Sequence, residues 1–321
     1  MASDRRDPSG RRIFAILVTY RRPHELATAL ERLEHADPRP DHVLVMDNAP
    51  DASGRRTVER IAHVRDPWVE YHEMPANLGP AGARAVGMAH VLERARDDDV
   101  IVLLDDDDPL PDPELLGTLR DRVGMLERDD PRFGGIALRG GRFDRRVGRA
   151  KPVVGKTTGD LVEVDYLHGG FFPMFPVHVV RSAGTYLAPL LFGWADLEFG
   201  LRLHACGYRL YVAADLWRRH ASSMGHPPEP ERRSVRLGPA DVRRYYTLRN
   251  MLFVLGRYGA PGSRWRYGAV VGIGKPLANL PVAPREALKH LRVSIRAIVD
   301  GARGKLGPAP VSFGTGSASG H

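Results

Sequence analysis

The apolar run Val100-Ile101-Val102-Leu103-Leu104 ends abruptly on four consecutive aspartates, Asp105 to Asp108, followed by Pro109 and Pro111. A run with no polar face must be covered on both sides if it is a strand, which is the condition of a central strand in a parallel sheet. The carboxylates then mark the rim where open α/β sheets bind ligands. Adjacent aspartates repel one another, so a structured cluster at that rim calls for a compensating cation, whereas a solvated turn such as Asp97-Asp98-Asp99 does not. Asp105 and Asp107 are two apart and can present their carboxylates on one side of extended backbone, where a hard divalent ion carrying a diphosphate would fit.

Three further apolar runs repeat the arrangement. Residues 13–18 end in Thr19-Tyr20-Arg21-Arg22-Pro23 ahead of a helical pattern over 25–33, and residues 43–46 end in Asp47-Asn48. Residues 69–74 lead into Asn77-Leu78-Gly79-Pro80-Ala81-Gly82-Ala83-Arg84 and a small-residue helix through Leu92. Four strands alternating with helices predict a mostly parallel, doubly wound α/β sheet whose strand ends converge on one edge. From Phe133 the pattern changes to β-like segments at 136–138 and 161–166, with a basic loop over 142–156 between them. A helix over 197–205 closed by Gly207 precedes a strand over 208–213 that leads to His220. Residues 224–238 read as a mobile loop, 239–257 and 284–303 as helices, and the tail from Gly307 as disordered. The expected organisation is a polar segment (1–12), a catalytic domain (13–223), a loop and helical extension (224–306) and a tail (307–321).

A chain of 321 residues with 43% hydrophobic content can bury a substantial core. Its net charge of +8 favours polyanionic ligands or an acidic membrane surface and leaves nucleic acid open. The single cysteine, Cys206, excludes an intramolecular disulfide and fits a reducing compartment. No apolar run reaches the roughly 20 residues needed to span a bilayer, and the first 12 residues lack the apolar core of a secretory signal. A cytoplasmic protein is expected, with peripheral contact at the inner face of the cell membrane as one further reading. Leu288, Leu291, Ile295, Ile298 and Val299 form an apolar helical stripe beside basic Arg285, Lys289, Arg292, Arg296 and Arg303. That pattern suits an anionic membrane surface or packing against the catalytic domain.

The ordered set Val18-Thr19-Tyr20, Asp47-Asn48, Asn77-x-Gly79-x-x-Gly82-x-Arg84, Leu104-Asp105-Asp106-Asp107, Trp194-Ala195-Asp196-Leu197-Glu198 and a late His220 resembles inverting glycosyltransferase family 2 and its GT-A fold. Within it the chain is most similar to the rhamnosyl- and galactofuranosyl-transferase branch, in part through Tyr245-Tyr246-x-x-Arg249-Asn250. The resemblance implies a metal-dependent enzyme moving a sugar from a nucleoside-diphosphate donor, of the UDP or dTDP type, to an acceptor hydroxyl that lipid could carry. It assigns Mn²⁺ or Mg²⁺ to Asp105, Asp107 and His220. Asp108 stands where the family more often has a small polar residue, which leaves the ligand assignment open by one position.

Donor contacts are expected at Thr19, Tyr20, Arg21, Asp47, Asn48, Asn77, Gly79, Gly82, Arg84, Asp105, Asp106, His168, Gly169, Gly170 and Trp194. A carboxylate such as Asp47 accepts hydrogen bonds from base or ribose, although Asp47 and Asn48 are also turn formers. Gly79 and Gly82 permit close approach at a helix start, and Arg84 would extend toward a phosphate or lie on the helix surface. Asp196 is the expected general base beside Trp194, with an N-cap as its alternative, and Glu198 would orient the base or acceptor. Ala195 replaces a second acid frequent in the family, which leaves a two-acid site in doubt. His220 could instead be a structural histidine, and Gly169-Gly170 a β-bulge. Competing functions are a nucleotidyltransferase, which would release pyrophosphate, and a basic nucleic-acid-binding protein. The acidic cluster at the ligand edge and the lack of a nucleic-acid motif argue against a specific nucleic-acid partner.

Overall fold

The computed structural model describes residues 10–48, 52–61, 68–153, 159–225 and 242–310. The chain opens with β1 (Ile13–Thr19), α1 (Pro23–Glu34), β2 (His42–Asp47), α2 (Ala52–Ile61), β3 (Val69–Glu73), α3 (Gly79–Arg94) and β4 (Val100–Asp105). All of β1 is buried. Ile13, Ala15 and Leu17 join a core with Leu26 and Leu30 of α1, while Phe14, Ile16 and Val18 join another with Ala81, Met88 and Val91 of α3. Alternate side chains of a strand point to opposite faces, so a sheet covered on both sides demands the uninterrupted apolar runs seen in the sequence.

Pairing through β3-β2-β1-β4 is parallel throughout. Its register sets Thr19 against Asp47 and Val18 against Asp105, so the polar strand ends stand side by side at one edge.

Beyond α4 (Leu115–Asp129) come β5 (Phe133–Ala137), β6 (Gly140–Asp144), β7 (Arg149–Val153), β8 (Leu161–Val164), β9 (Tyr166–Leu167) and β10 (Met174–Pro176). They are followed by α5 (Val177–Ala183), α6 (Ala195–Ala205), β11 (Arg209–Ala213) and α7 (Ala214–His220). The central sheet continues from β4 as β10-β5-β11-β8. β10 runs antiparallel to both β4 and β5, and β8 antiparallel to β11, so this half is mixed. The C-terminal helices are α8 (Val242–Tyr258), α9 (Ser263–Tyr267), α10 (Lys275–Ala278) and α11 (Pro284–Ala302), with a π-helical stretch over Gly268–Gly274.

Several expectations need correction. The basic stretch over 142–156 is not a loop where described, because β6 and β7 form a hairpin whose register pairs Gly140 with Val153 and Asp144 with Arg149. Its basic side chains alternate outward while Phe143 turns into a core with Tyr166, Leu197 and Leu201. The strand expected to lead to His220 does so through a helix, α7, which His220 ends. The expected mobile loop lies outside the described residues except for Met224 and Gly225, and the tail beyond Pro310 lies outside them entirely. The start of that tail is tied down, since Gly307 N–H donates to Pro189 O at 2.8 Å and Ala309 N–H to Tyr246 Oη at 2.8 Å.

Candidate active site

The aspartates at the end of β4 are held from two directions. On one side Thr19 Oγ1 donates to Asp106 Oδ2 at 2.7 Å, and Arg22 Nη1 reaches Asp107 at 2.6 Å and Asp106 at 3.3 Å. The end of β1 and the loop after it thus fix two of the four acids. Burial pushes Asp106 up to about 6, with the bonds from Thr19 and Arg22 opposing it.

On the other side Arg84, buried on α3, bridges two acids remote in sequence. Its Nη2 lies 2.7 and 2.8 Å from the two oxygens of Asp105, and its Nη1 lies 3.1 Å from Asp196 Oδ1. Arg84, expected to extend toward a phosphate, here forms an internal ion-pair bridge. Desolvation opposes the charge on Arg84, but the two carboxylates outweigh it and raise its pKa. Asp196 also accepts from Tyr186 Oη at 3.0 Å and from the backbone N–H of Gly169 at 3.0 Å. A Cβ on Gly169 would meet the Arg84 guanidinium, so the glycine lets that guanidinium lie close against the backbone. Asp196 is not the N-cap of α6. That position belongs to Trp194, at φ 65, and no side-chain cap bond forms.

The remaining expected donor contacts divide. Asp47 is buried at the edge and accepts from Tyr71 Oη at 2.8 Å. Asn48 is committed to the α3 start, accepting from Leu78 N–H at 3.3 Å and donating to Gly79 O at 3.2 Å. Asn77 Oδ1 accepts from Gly79 N–H at 2.9 Å, and Gly79 takes φ +65 hard against Leu191 O. Gly82 relieves crowding with Leu78 one turn earlier. Asn48, Asn77, Gly79 and Gly82 therefore shape the helix start. Tyr20 is half-buried and Arg21 exposed, with the guanidinium 5.3 Å from the ring centroid. His168 is half-buried, edge-on to Tyr166 and Phe171, and burial lowers its pKa.

Two expected residues turn away. Glu198 is buried and accepts from Arg202 at 3.1 Å and from Tyr258 Oη at 3.0 Å, so it joins α6 to α8 and does not stand beside Asp196 to orient base or acceptor. The Trp194 indole N–H donates to Thr247 O of α8 at 2.9 Å. His220 Nε2 faces Asp112 Oδ2 at 3.8 Å. Among the described residues no three His, Cys, Asp or Glu side chains form a metal-holding group, so Asp105, Asp107 and His220 are not assembled as one ligand set.

The acid cluster nonetheless has the chemistry for a divalent ion. A Cβ built on Gly170 would lie 2.6 Å from Asp108 Oδ2 and 3.1 Å from Asp105 Oδ2, so both carboxylate oxygens lie against Gly170. Burial, then repulsion from Asp107 and Asp105, pushes Asp108 up to about 7. Hard oxygen donors crowded into like-charge repulsion fit a cation.

Sequence reasoning missed Tyr186, Arg139 and the role of Arg22. Arg139 lies between Phe171 and Trp217, 4.6 and 4.9 Å from their ring centroids, and its charge favours ionised Asp108. Arg22 had a signal, a cation directly after a strand end. Tyr186 and Arg139 had none, since each is placed by the second half of the sheet.

Residues 14–129 match the family model described as Glycosyl transferase family 2. The chain is 39% identical over 274 residues to the galactofuranosyltransferase GlfT1 of Mycobacterium tuberculosis, covering 77% of this chain and 83% of that protein. It is 27% identical over 261 residues to the protein of the same name from Mycolicibacterium smegmatis, covering 77% and 84%. Among solved structures, GalNAc-T7 with UDP, GalNAc and Mn²⁺ superposes at a TM-score of 0.55 with 12% identity, covering 93% of this chain and 58% of that one.

Proposed function

The chain belongs to glycosyltransferase family 2 and is a glycosyltransferase, and from that premise we propose that it transfers a galactofuranosyl group, with inversion, from a nucleoside diphosphate to an acceptor hydroxyl. The observation that carries the reading is the bridge from Arg84 to Asp105 and Asp196, because it brings the donor-side acid and the proposed base to one point at the sheet edge. The 39% identity to a galactofuranosyltransferase supports the choice of sugar.

Asp196 takes the proton of the attacking hydroxyl, and the donors from Arg84, Tyr186 and Gly169 fix its orientation. Asp47 and Asp106, buried at neighbouring strand ends, accept hydrogen bonds from the nucleoside. Asp105 and Asp108, whose carboxylates both lie against Gly170, would contribute oxygens to Mn²⁺ or Mg²⁺, which when bound would offset the charge gathered by the departing nucleoside diphosphate. Arg139 and Arg22 add positive charge beside the same acids.

Thermal melts with UDP, dTDP and GDP, each with and without Mn²⁺, test the donor class, since a ligand of the native state raises the melting temperature. A rise with UDP that depends on Mn²⁺, and release of nucleoside diphosphate during transfer, are expected. Release of pyrophosphate, or no rise with any of the three, would overturn the reading.

A further inference from the structure

The face of α11 that packs on α8 is not its aliphatic face. Ala287, His290, Val293, Ser294, Ala297, Asp300 and Gly301 are buried, and a Cβ on Gly301 would meet Arg249 O at 2.7 Å. Small residues let the two helices approach closely, so the larger aliphatic side chains are left outside. Ile295 is 54% exposed and Leu288 52%. The Gly268–Gly274 stretch lies alongside, since a Cβ on Gly272 would fall 2.8 Å from Ile298 Cδ1. From there Val270 at 56% and, further on, Val282 at 85% also face solvent. Eight of the eleven exposed large hydrophobic side chains among the described residues fall between 265 and 299. Scattered apolar residues on a surface are ordinary, but this concentration is not.

The same segment, residues 263–299, carries seven Lys and Arg against one acid, Glu286. Lys289 spends its charge on Glu286 at 2.6 Å and Arg296 on Asp300 at 2.7 Å. Arg264, Arg266, Lys275, Arg285 and Arg292 are the remaining cations of the segment. Trp265 is exposed beneath the Arg264 guanidinium, 4.6 Å from ring centroid to cation, a pairing suited to a headgroup layer.

We infer that this surface docks the protein on an anionic lipid bilayer, with the aliphatic side chains entering the headgroup–acyl boundary and the segment's cations meeting lipid phosphates. A second copy of the chain would bring two such positive segments together, and nucleic acid would leave the exposed aliphatic side chains of the segment uncovered.

The test uses the full chain and reads sedimentation with vesicles, without donor or acceptor. Binding is expected on equal phosphatidylglycerol and phosphatidylcholine, weakening with salt, and little is expected on phosphatidylcholine alone. Arg285→Gln with Arg292→Gln, and separately Val282→Ser with Ile295→Ser, should each weaken it at least tenfold. These side chains are exposed, so melting temperatures and nucleotide-induced shifts should match wild type, which keeps this test separate from the transfer reading. Equal binding to neutral and anionic vesicles would overturn the inference, as would binding unaffected by either pair. A dimer on size exclusion that the apolar pair converts to monomer would assign the surface to a second copy instead.

Discussion

Asp196 receives three hydrogen bonds, from a guanidinium, a phenol and a backbone amide. Such a shell fixes a carboxylate in direction, which a general base needs more than it needs high basicity. Asp196→Asn keeps the shape but cannot take a proton, so turnover should fall on the order of 10² to 10⁴ while nucleotide binding holds. Kinetics paired with nucleotide thermal shifts would check this, and near-normal turnover would move the base elsewhere. Asp108 makes a prediction of the opposite kind. Its carboxyl is pushed up to about 7, above its unfolded value, so the folded protein holds that proton longer than the unfolded chain. The stability this lends is present at low pH and lost as pH rises through about 7. Asp108→Asn removes the repulsion, so its advantage should be near zero at pH 4, grow toward neutrality and level off above it, reaching about 1 to 3 kcal/mol. Urea melts across that pH range without divalent ions would show the trend, and a variant less stable than wild type at pH 8 would contradict it.

The elements differ in how much of them the sequence discloses. The strands β1, β2 and β4 are legible because burial on both faces forces near-continuous apolar runs. The hairpin β6–β7 is not, because it buries little beyond Phe143 and its arginines read as loop. For α11 the 3.6-residue period reveals an aliphatic stripe, but not that the partner helix takes the opposite face, which depends on how closely α8 approaches. The site divides in the same way. Asp105, Asp106 and Asp196 sit at strand and helix ends that punctuation marks, whereas Glu198, two residues beyond Asp196 on α6, points the other way into the α6–α8 seam. That seam also holds the segment before α6. Asn250 donates to the carbonyls of Leu190, Phe192 and Gly193 at 2.8 to 2.9 Å. Asn250→Ala would take this donor from the carbonyls of Phe192 and Gly193, while Leu190 O keeps the N–H of Phe192, at a cost of roughly 1 to 3 kcal/mol. Chemical denaturation should register that loss, and a change under 0.5 kcal/mol, within the range of ordinary surface substitutions, would mean water replaces the amide.

At the scale of the whole molecule, the site is a seam between the parallel half that matches the family model and the mixed half that follows it. Asp105 belongs to the first half and Asp196, Gly169 and Tyr186 to the second, and Arg84 is the side chain that spans them. A guanidinium can serve two acids at once because its nitrogens diverge in a rigid plane, while an ammonium is a single point charge. Arg84→Lys should therefore keep charge balance near one acid and release the other, lowering stability by about 1 to 3 kcal/mol rather than the 3 to 5 kcal/mol expected when a buried charge loses its partner outright. Combining Arg84→Lys with Asp105→Asn or with Asp196→Asn in double-mutant cycles would reveal which acid the lysine keeps. If Arg84 joins the halves, both cycles should show coupling of at least 0.5 kcal/mol, the lower end seen for residues in one network. Coupling confined to Asp105 would make Arg84 a local partner of β4, and the second half would then owe its placement to α6 and the backbone of Gly169 alone.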